Sequence, residues 1–95
     1  MQDSKNIYAN VLEAIVITVP SNPTTGYSWC AVSPSQHLRV EQQDFLLDSL
    51  EIGSAGKQLF VLRVDCVGRF RLVLKLCRFG TSTPLEERIY DIETR

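Results

Sequence analysis

The fold of this chain is decided by its clearest strand pattern, which reads Arg69-Phe70-Arg71-Leu72-Val73-Leu74-Lys75-Leu76-Cys77. Apolar side chains fall on one face at a period of two, at positions 70, 72, 74 and 76. Arg69, Arg71 and Lys75 fall on the other face, which we expect to be solvated. Helical spacing would scatter these charges around an axis, so the pattern predicts a strand with one face in a core.

The same alternation continues on both sides of this strand. A strand is predicted at residues 57–66, where one face carries Phe60, Leu62, Val64 and Cys66. Gly68 marks a turn between the two strands. Residues 86–93 predict a closing strand. Its inward face is ambiguous, because the apolar residues at 89 and 90 point to opposite faces unless a bulge intervenes.

The N-terminal half contains further strands separated by turn residues. A strand is predicted at residues 13–19, with Ile15, Ile17 and Val19 on one face, and shorter strands at 7–11, 27–32 and 38–41. Residues 1–6 are expected to be flexible. Frequent turn signals, without amphipathic helix spacing, predict an all-β antiparallel sandwich that forms a single domain over residues 1–95.

The tryptophan of this chain is followed directly by a cysteine, at Trp29 and Cys30. In an antibody domain the tryptophan instead lies between cysteines of an early and a late strand. The inter-sheet disulfide of such a domain therefore cannot form here. We expect Trp29 to lie in the core.

Composition limits the classes of function. The chain has 95 residues, of which 44% are hydrophobic and 22% charged, with a formal net charge of -1. This is the composition of a folded domain with one modest core, and it gives no electrostatic case for binding nucleic acid or an anionic membrane. No apolar run approaches the roughly 20 residues of a membrane helix. The polar N-terminus is followed by no signal-like segment, so a cytoplasmic location is expected. The sequence leaves open a signal peptide that has already been removed.

The three cysteines leave at least one thiol unpaired in a monomer. Cys66 and Cys77 are expected on neighbouring strands joined by a turn near Gly68. That placement would separate them by about 20 Å, whereas a disulfide needs Cα atoms within ~7 Å. We therefore expect reduced, partly buried cysteines and a reducing compartment. His37 is the single histidine and no C-x-x-C pair occurs, so neither a metal site nor a cofactor is expected.

The connection between the strands at 13–19 and 27–32 reads Ser21-Asn22-Pro23-Thr24-Thr25-Gly26-Tyr27-Ser28-Trp29. Pro23 fixes its own φ and keeps Asn22 out of the helical region. Gly26 adopts positive φ at little cost. The threonines between them are uncharged and stiff at χ1. The pattern predicts a narrow, semi-rigid loop tip, which on spacing alone is simply a connection between strands.

This connection resembles a segment of the chagasin-like inhibitors of papain-type cysteine proteases, through the hexapeptide Asn22-Pro23-Thr24-Thr25-Gly26-Tyr27. Later features follow in an order similar to that family. They are the glycine-rich loop Gly53-Ser54-Ala55-Gly56, the turn at 67–68, an arginine-led loop that begins at Arg78, and the closing strand around 87–89. The resemblance spans residues 13–93.

The resemblance implies an immunoglobulin-like antiparallel β-sandwich of about seven to eight strands, with three loops at one end. It implies a reversible, tight-binding inhibitor whose partner is a papain-family cysteine protease, and we expect a monomer. In that interpretation residues 22–27 form a wedge over the catalytic cysteine, with Thr24 closest to the sulfur. Residues 53–56 and 78–84 flank the wedge, with Arg78 and Phe79 at the start of the third loop.

The third loop departs from the family pattern. The family has arginine, proline and then an aromatic residue, whereas this chain has Arg78-Phe79-Gly80. The arginine matches, the proline position holds Phe79, and the aromatic position holds Gly80. Whether Phe79 replaces the aromatic side chain from one residue earlier is left open by the sequence.

Two other functions compete with inhibition. A non-inhibitory immunoglobulin-like interaction or adhesion module would keep the fold without the wedge, and the altered third loop favours it. An enzyme would need a nucleophile and a base, such as Cys30 with His37. The chain has one histidine and no phosphate-binding glycine motif, so it is not expected to be an enzyme.

Overall fold

A computed structural model describes residues 3–22, 25–47, 56–78, 80 and 83–95. The strands in this part of the chain are β1 (Asp3–Ala9), β2 (Ile15–Ser21), β3 (Tyr27–Val32), β4 (Leu38–Leu47), β5 (Gly56–Val64), β6 (Gly68–Arg78) and β7 (Glu86–Thr94). One sheet has the order β1-β7-β6-β3 and the other has the order β2-β5-β4. The predicted all-β sandwich is confirmed. No helix among the described residues is long and apolar enough to cross a membrane.

The core lies between the sheets and is built by side chains that alternate along each strand. Trp29 lies in it, as predicted, with 4% of its surface exposed. Burial of one such apolar side chain stabilises the fold by about 1.5–3 kcal/mol. The main contributors from four strands are Ile15, Ile17 and Val19, then Phe60, Leu62 and Val64, then Leu72 and Leu74, and finally Tyr90 and Ile92.

The outer face of β6 is solvated, as the pattern at residues 69–77 predicts. Nε of Arg69 lies 3.1 Å from a carboxylate oxygen of Glu93, and Nε of Arg71 lies 2.9 Å from one of Asp91. Both carboxylates belong to the adjacent strand β7. Exposed ion pairs of this kind stabilise the fold by about 0–1 kcal/mol each. Their main meaning here is that this face of the sheet points to solvent.

The inward face of β7 is set by Tyr90 and Ile92, which are buried, while Ile89 is half-buried on the other face. The β6–β7 register runs without a shift from Gly68–Thr94 to Leu76–Glu86. No bulge is therefore needed, and the ambiguity in the sequence is resolved by the partner strand.

The turn after β5 differs from the expectation. β5 and β6 belong to different sheets, so residues 65–67 cross between the layers and do not form a hairpin. The prediction that Cys66 and Cys77 lie on neighbouring strands is wrong, and Cys66 lies in the turn rather than in β5. All three cysteines are free; Cys66 and Cys77 are half-buried as expected, but Cys30 is exposed. Alternation specifies which face of a strand is buried and not which sheet contains it.

Two strands extend further than the sequence indicates. β1 begins at Asp3, so residues 3–6 are not a flexible leader but pair with residues 88–91 of β7. This pairing is parallel, whereas the others are antiparallel. β4 continues past residue 41 to Leu47, with a register shift between Val40 and Gln42. Polar residues carry little strand signal, and backbone hydrogen bonds to an adjacent strand are enough to order them.

The two ends of the sandwich carry different connections. The β2–β3, β4–β5 and β6–β7 connections leave from one end, which we call the loop end. The β1–β2, β3–β4 and β5–β6 connections, at residues 10–14, 33–37 and 65–67, leave from the opposite end, which we call the far end.

Candidate functional site

The strand register brings the three predicted loops to one edge. Ser21, the last residue of β2, pairs with Gly56, and Gly56 also pairs with Leu47. Tyr27, the first residue of β3, pairs with Arg78. The β2–β3 connection therefore starts beside the end of the β4–β5 connection and finishes beside the start of the β6–β7 connection. This arrangement places the two ends of the predicted wedge beside the strand ends from which its two predicted flanks leave.

The described part of the wedge is held by short-range hydrogen bonds. The amide and the hydroxyl of Thr25 both donate to the carbonyl oxygen of Asn22, at 3.3 and 2.8 Å. The amide of Tyr27 donates to Oγ1 of Thr25 at 3.3 Å. Gly26 has a φ of 80°, a left-handed conformation that glycine adopts without strain. The Thr25 hydroxyl thus joins both sides of the loop across the turn at Gly26.

Arg78 lies against this turn. A Cβ placed on Gly26 would be 3.6 Å from Nε of Arg78, so the guanidinium group of the third loop is next to the backbone of the first. Arg78 is exposed. A cation therefore lies at the edge of the predicted wedge, whose own residues 22–27 carry no formal charge.

A glutamine joins the two sheets beneath the wedge. Oε1 of Gln58 accepts hydrogen bonds from the amide of Trp29 at 2.7 Å and from the hydroxyl of Ser21 at 3.1 Å. Nε2 of Gln58 donates to the carbonyl oxygen of Trp29 at 3.2 Å. β3 is an edge strand, and Gln58 satisfies backbone groups of Trp29 that no further strand pairs with. We call Gln58, Ser21 and Trp29 the clasp.

The indole ring of Trp29 contacts the end of β2, directly before residues 22–27. Its Nε1 donates to the carbonyl oxygen of Pro20 at 2.8 Å, which ties β3 to the end of β2. The guanidinium carbon of Arg88 lies 5.2 Å from the ring centroid, within cation–π range. Burial alone would lower the pKa of Arg88, but the hydrogen bond and charge of Glu86 raise it. Arg88 therefore stays cationic over the ring.

Gly56 permits a close approach of backbones at the loop end. A Cβ on this residue would lie 2.5 Å from the carbonyl oxygen of Leu46 and 3.1 Å from a ring carbon of Phe45. Those atoms belong to the adjacent strand β4. The second of the three predicted loops, the glycine-rich one, therefore ends at a position where no side chain fits.

Residues 8–93 match the family model described as chagasin family peptidase inhibitor I42. The chain belongs to the chagasin family of peptidase inhibitors. This membership confirms the resemblance seen in the sequence, the expectation that the chain is an inhibitor of cysteine proteases, and the expectation that it is not an enzyme.

Individual relatives agree with the family assignment. The chain is 33% identical over 76 residues to chagasin of Trypanosoma cruzi, which covers 74% of this chain and 69% of that protein. Its fold matches the cysteine protease inhibitor EhICP2 of Entamoeba histolytica with a TM-score of 0.76 at 20% identity, covering 99% of this chain and 97% of that one. It also matches PbICP-C, solved in complex with falcipain-2, with a TM-score of 0.79 at 17% identity, covering 100% and 90%.

The positions that the chagasin resemblance singles out fall into two groups. Asn22, Thr25, Gly26, Tyr27, Gly56 and Arg78 are described and lie at the loop end, although Gly56 is already the first residue of β5 rather than part of a loop. The predicted contacts at Pro23, Thr24, Gly53, Ser54, Ala55 and Phe79 lie outside the described residues.

The clasp was not predicted from the sequence, although a signal for it exists. Gln58 continues the inward series of Phe60, Leu62 and Val64 at a period of two, and Ser21 continues the inward series of β2 in the same way. A polar residue at the end of an apolar face indicates a hydrogen-bonded group at the edge of the core. Arg88 has no comparable signal, because its contact with Trp29 depends on how β7 is placed.

The far end contains a group of possible ligands that the sequence analysis did not predict. In the described part of the chain, His37, Asp65 and Cys66 offer donor atoms within 4.8 Å of one another. The suggested enzyme pair of Cys30 and His37 is not this group, because its thiol is that of Cys66, and Nδ1 of His37 lies 2.8 Å from Oδ1 of Asp65. Burial, and then the charge and hydrogen bond of Asp65, raise the pKa of the Cys66 thiol. A raised pKa disfavours the thiolate that a nucleophilic cysteine requires.

Proposed function

We propose that this chagasin-family chain inhibits papain-like cysteine proteases reversibly, by inserting residues 22–27 into the active-site cleft. Residues 53–56 and 78–84 then contact the two sides of the cleft. The observation that carries this proposal is the register at the loop end, where Ser21 pairs with Gly56 and Tyr27 pairs with Arg78. A wedge with a flank on each side fits a cleft better than it fits a flat partner.

The chemistry of the wedge suits a cysteine protease. Such a site contains a thiolate and an imidazolium at the base of a narrow cleft. Residues 22–27 carry no formal charge, so they enter without burying an unpaired ion. The hydrogen bonds of Thr25 to Asn22 and Tyr27 hold the turn before binding, which reduces the conformational entropy lost on association.

The roles of the two threonines are expected to differ. The hydroxyl of Thr25 is engaged within the loop, so its contribution is to the shape of the wedge. Thr24, which precedes it at the tip of the hexapeptide, is the residue we place closest to the catalytic sulfur. Arg78, exposed beside Gly26, supplies a guanidinium group to an aromatic or acidic side chain on the rim of the cleft, a contact worth about 1 kcal/mol.

The proposal is tested by titrating several papain-like proteases with the purified protein. We expect stoichiometric loss of activity that is recovered on dilution. The variant carrying Thr24→Asp and Thr25→Asp should inhibit at least ~100-fold less well, because two carboxylates would be buried in the cleft and the Thr25 hydroxyl would be lost.

A matched control places two carboxylates at the far end instead, by Gln36→Asp and Val67→Asp. Both side chains are exposed, and we expect this variant to inhibit as the parent does. Equal inhibition by the wedge variant and the parent would show that residues 22–27 are not the wedge. Full protease activity at a large excess of the parent would instead support the non-inhibitory interaction module that the Arg78-Phe79-Gly80 sequence favours.

A further inference from the structure

Three different metal-ligating side chains meet at the far end of the sandwich. His37 is the last residue of the β3–β4 connection, and Asp65 and Cys66 begin the β5–β6 connection. Their nitrogen, oxygen and sulfur donor atoms all lie within 4.8 Å of one another. Residues separated by 28 positions in the chain are thus brought together by the fold. His37 and Asp65 are exposed and Cys66 is half-buried, so an ion can reach them from solvent.

The backbone around these residues is fixed by hydrogen bonds that do not use the ligand atoms, whereas Nδ1 of His37 and Oδ1 of Asp65 bond to each other. The amide of Asp65 donates to the carbonyl oxygen of His37 at 3.1 Å, which joins the two connections directly. The amide of His37 donates to Oγ of Ser35 at 3.1 Å. The hydroxyl of Thr94, a buried residue of β7, donates to the carbonyl oxygen of Cys66 at 2.6 Å. The three ligand-bearing residues are therefore anchored to one another and to the sheet.

We propose that the far end binds one zinc ion through His37, Asp65 and Cys66, with water in the remaining position. Imidazole, thiolate and carboxylate are ligand types that zinc takes in proteins, and zinc displaces the proton of the Cys66 thiol into solvent when it binds. Calcium and magnesium prefer sites made of oxygen alone, so the mixed set selects against them.

The geometry requires only a small adjustment. Tetrahedral zinc with bonds of about 2.0 Å to nitrogen and oxygen and about 2.3 Å to sulfur needs ligand atoms roughly 3.3–3.6 Å apart. The Nδ1–Oδ1 distance between His37 and Asp65 is 2.8 Å, slightly shorter than that, and the widest pair is no more than 4.8 Å apart. These three side chains are exposed or half-buried, so rotation about their bonds can bring the ligand atoms to the distances that zinc requires. The ring of His37 packs edge-on against Phe70 at 6.3 Å between centroids, which limits the orientations that the His37 ring can adopt.

The site is independent of protease binding. It lies at the opposite end of the strands from residues 22–27, so a bound ion leaves the loop end accessible. Zinc would join the β3–β4 and β5–β6 connections, and hence both sheets, and its expected effect is a more stable fold.

The experiment uses the full chain with Cys30→Ser and Cys77→Ser, so that Cys66 is the only thiol. Titration with zinc should give one ion per chain and a rise in Tm, and calcium and magnesium should leave Tm unchanged. Cobalt(II) substitution should produce a thiolate-to-metal charge-transfer band in the absorption spectrum, which reports ligation by Cys66 itself.

His37→Gln, Asp65→Asn and Cys66→Ser, each in that background, should weaken zinc binding at least ~10-fold, and Cys66→Ser should remove the cobalt band. The metal-free Tm of each variant checks that it folds. Gln36→Ala, at an exposed neighbouring position, is the matched control and should bind zinc as the background does. Zinc binding that is unchanged by Cys66→Ser and His37→Gln, or no uptake of zinc by the background protein, would overturn the proposal. The readouts contain no protease, so they succeed or fail separately from the inhibitor proposal.

Discussion

The two ends of this sandwich are held together by different means. At the loop end a half-buried, uncharged group connects the sheets: Gln58 bonds to Ser21 and to both backbone groups of Trp29. At the far end the turns are short, and contacts such as His37–Asp65 lie at the surface. The strands at the loop end are therefore joined one layer below the loops. At the far end the turns themselves carry the stabilising contacts.

This difference makes a general prediction. Changes at Gly56 or in the clasp, one layer below the loops, should alter both stability and inhibition. Changes in the wedge should alter inhibition alone. Changes at the far end should alter stability alone. Four substitutions test it, in decreasing order of expected effect.

Gly56→Ala should have the largest effect. The added Cβ would lie 2.5 Å from the carbonyl oxygen of Leu46, a backbone atom that cannot move without shifting β4. We expect a loss of about 2–3 kcal/mol in the free energy of unfolding, measured by urea denaturation, with weaker protease inhibition. Lys57→Ala, at the exposed next residue, is the control and should change stability by less than ~0.5 kcal/mol. Equal stability of the two variants would mean that β4 and β5 are further apart at this end.

Gln58→Met removes the clasp while keeping the length of the side chain. The amide and carbonyl of Trp29 would lose their partner, at a cost of about 1–3 kcal/mol in the free energy of unfolding. The wedge should be less well fixed, so the inhibition constant should rise about 10-fold. Gln43→Met on β4, where the side chain is exposed, should change neither quantity. A variant that loses stability but inhibits normally would show that the clasp does not position the wedge.

Thr25→Val tests the wedge alone. Valine keeps the shape of threonine and loses the hydroxyl that bonds to Asn22 and Tyr27. Inhibition should weaken about 5- to 10-fold, equivalent to roughly 1 kcal/mol. Because the residue is exposed, the urea midpoint should stay the same. Thr25→Ser restores the hydroxyl and should restore inhibition; if serine and valine behave alike, the hydroxyl does not shape the wedge.

Leu12→Asn tests the far end and should have the smallest effect. Leu12 has a φ of 67° in the β1–β2 connection, where leucine is strained. Its side chain is 54% exposed, so little burial is lost. Asparagine adopts this conformation more readily, and we expect the free energy of unfolding to rise by up to ~1 kcal/mol. Protease inhibition should not change; a change would mean that the two ends of the sandwich are coupled.

The parts of the fold that the sequence predicted well are those with a strong apolar alternation. The strands around Leu72, Phe60 and Ile17 were located correctly because each must bury one face, and a shift of one residue would expose it. β1 was misjudged because Ser4, Lys5 and Asn6 bury nothing and are ordered by backbone pairing with β7. The β5–β6 turn was misjudged because a hairpin and a crossing between sheets have the same local pattern.

For the candidate site, the sequence by itself predicted the proposed wedge: the order Asn22, Pro23, Gly26 favours a stiff, uncharged turn through local backbone constraints, and the same residues carry the resemblance to the chagasin-like inhibitors. Only the tertiary structure decided what surrounds that turn. Gln58 beneath it, Arg78 beside it, and the group of His37, Asp65 and Cys66 at the opposite end all depend on contacts between residues far apart in the chain. Such contacts are set by strand register and sheet order, which local sequence patterns do not specify.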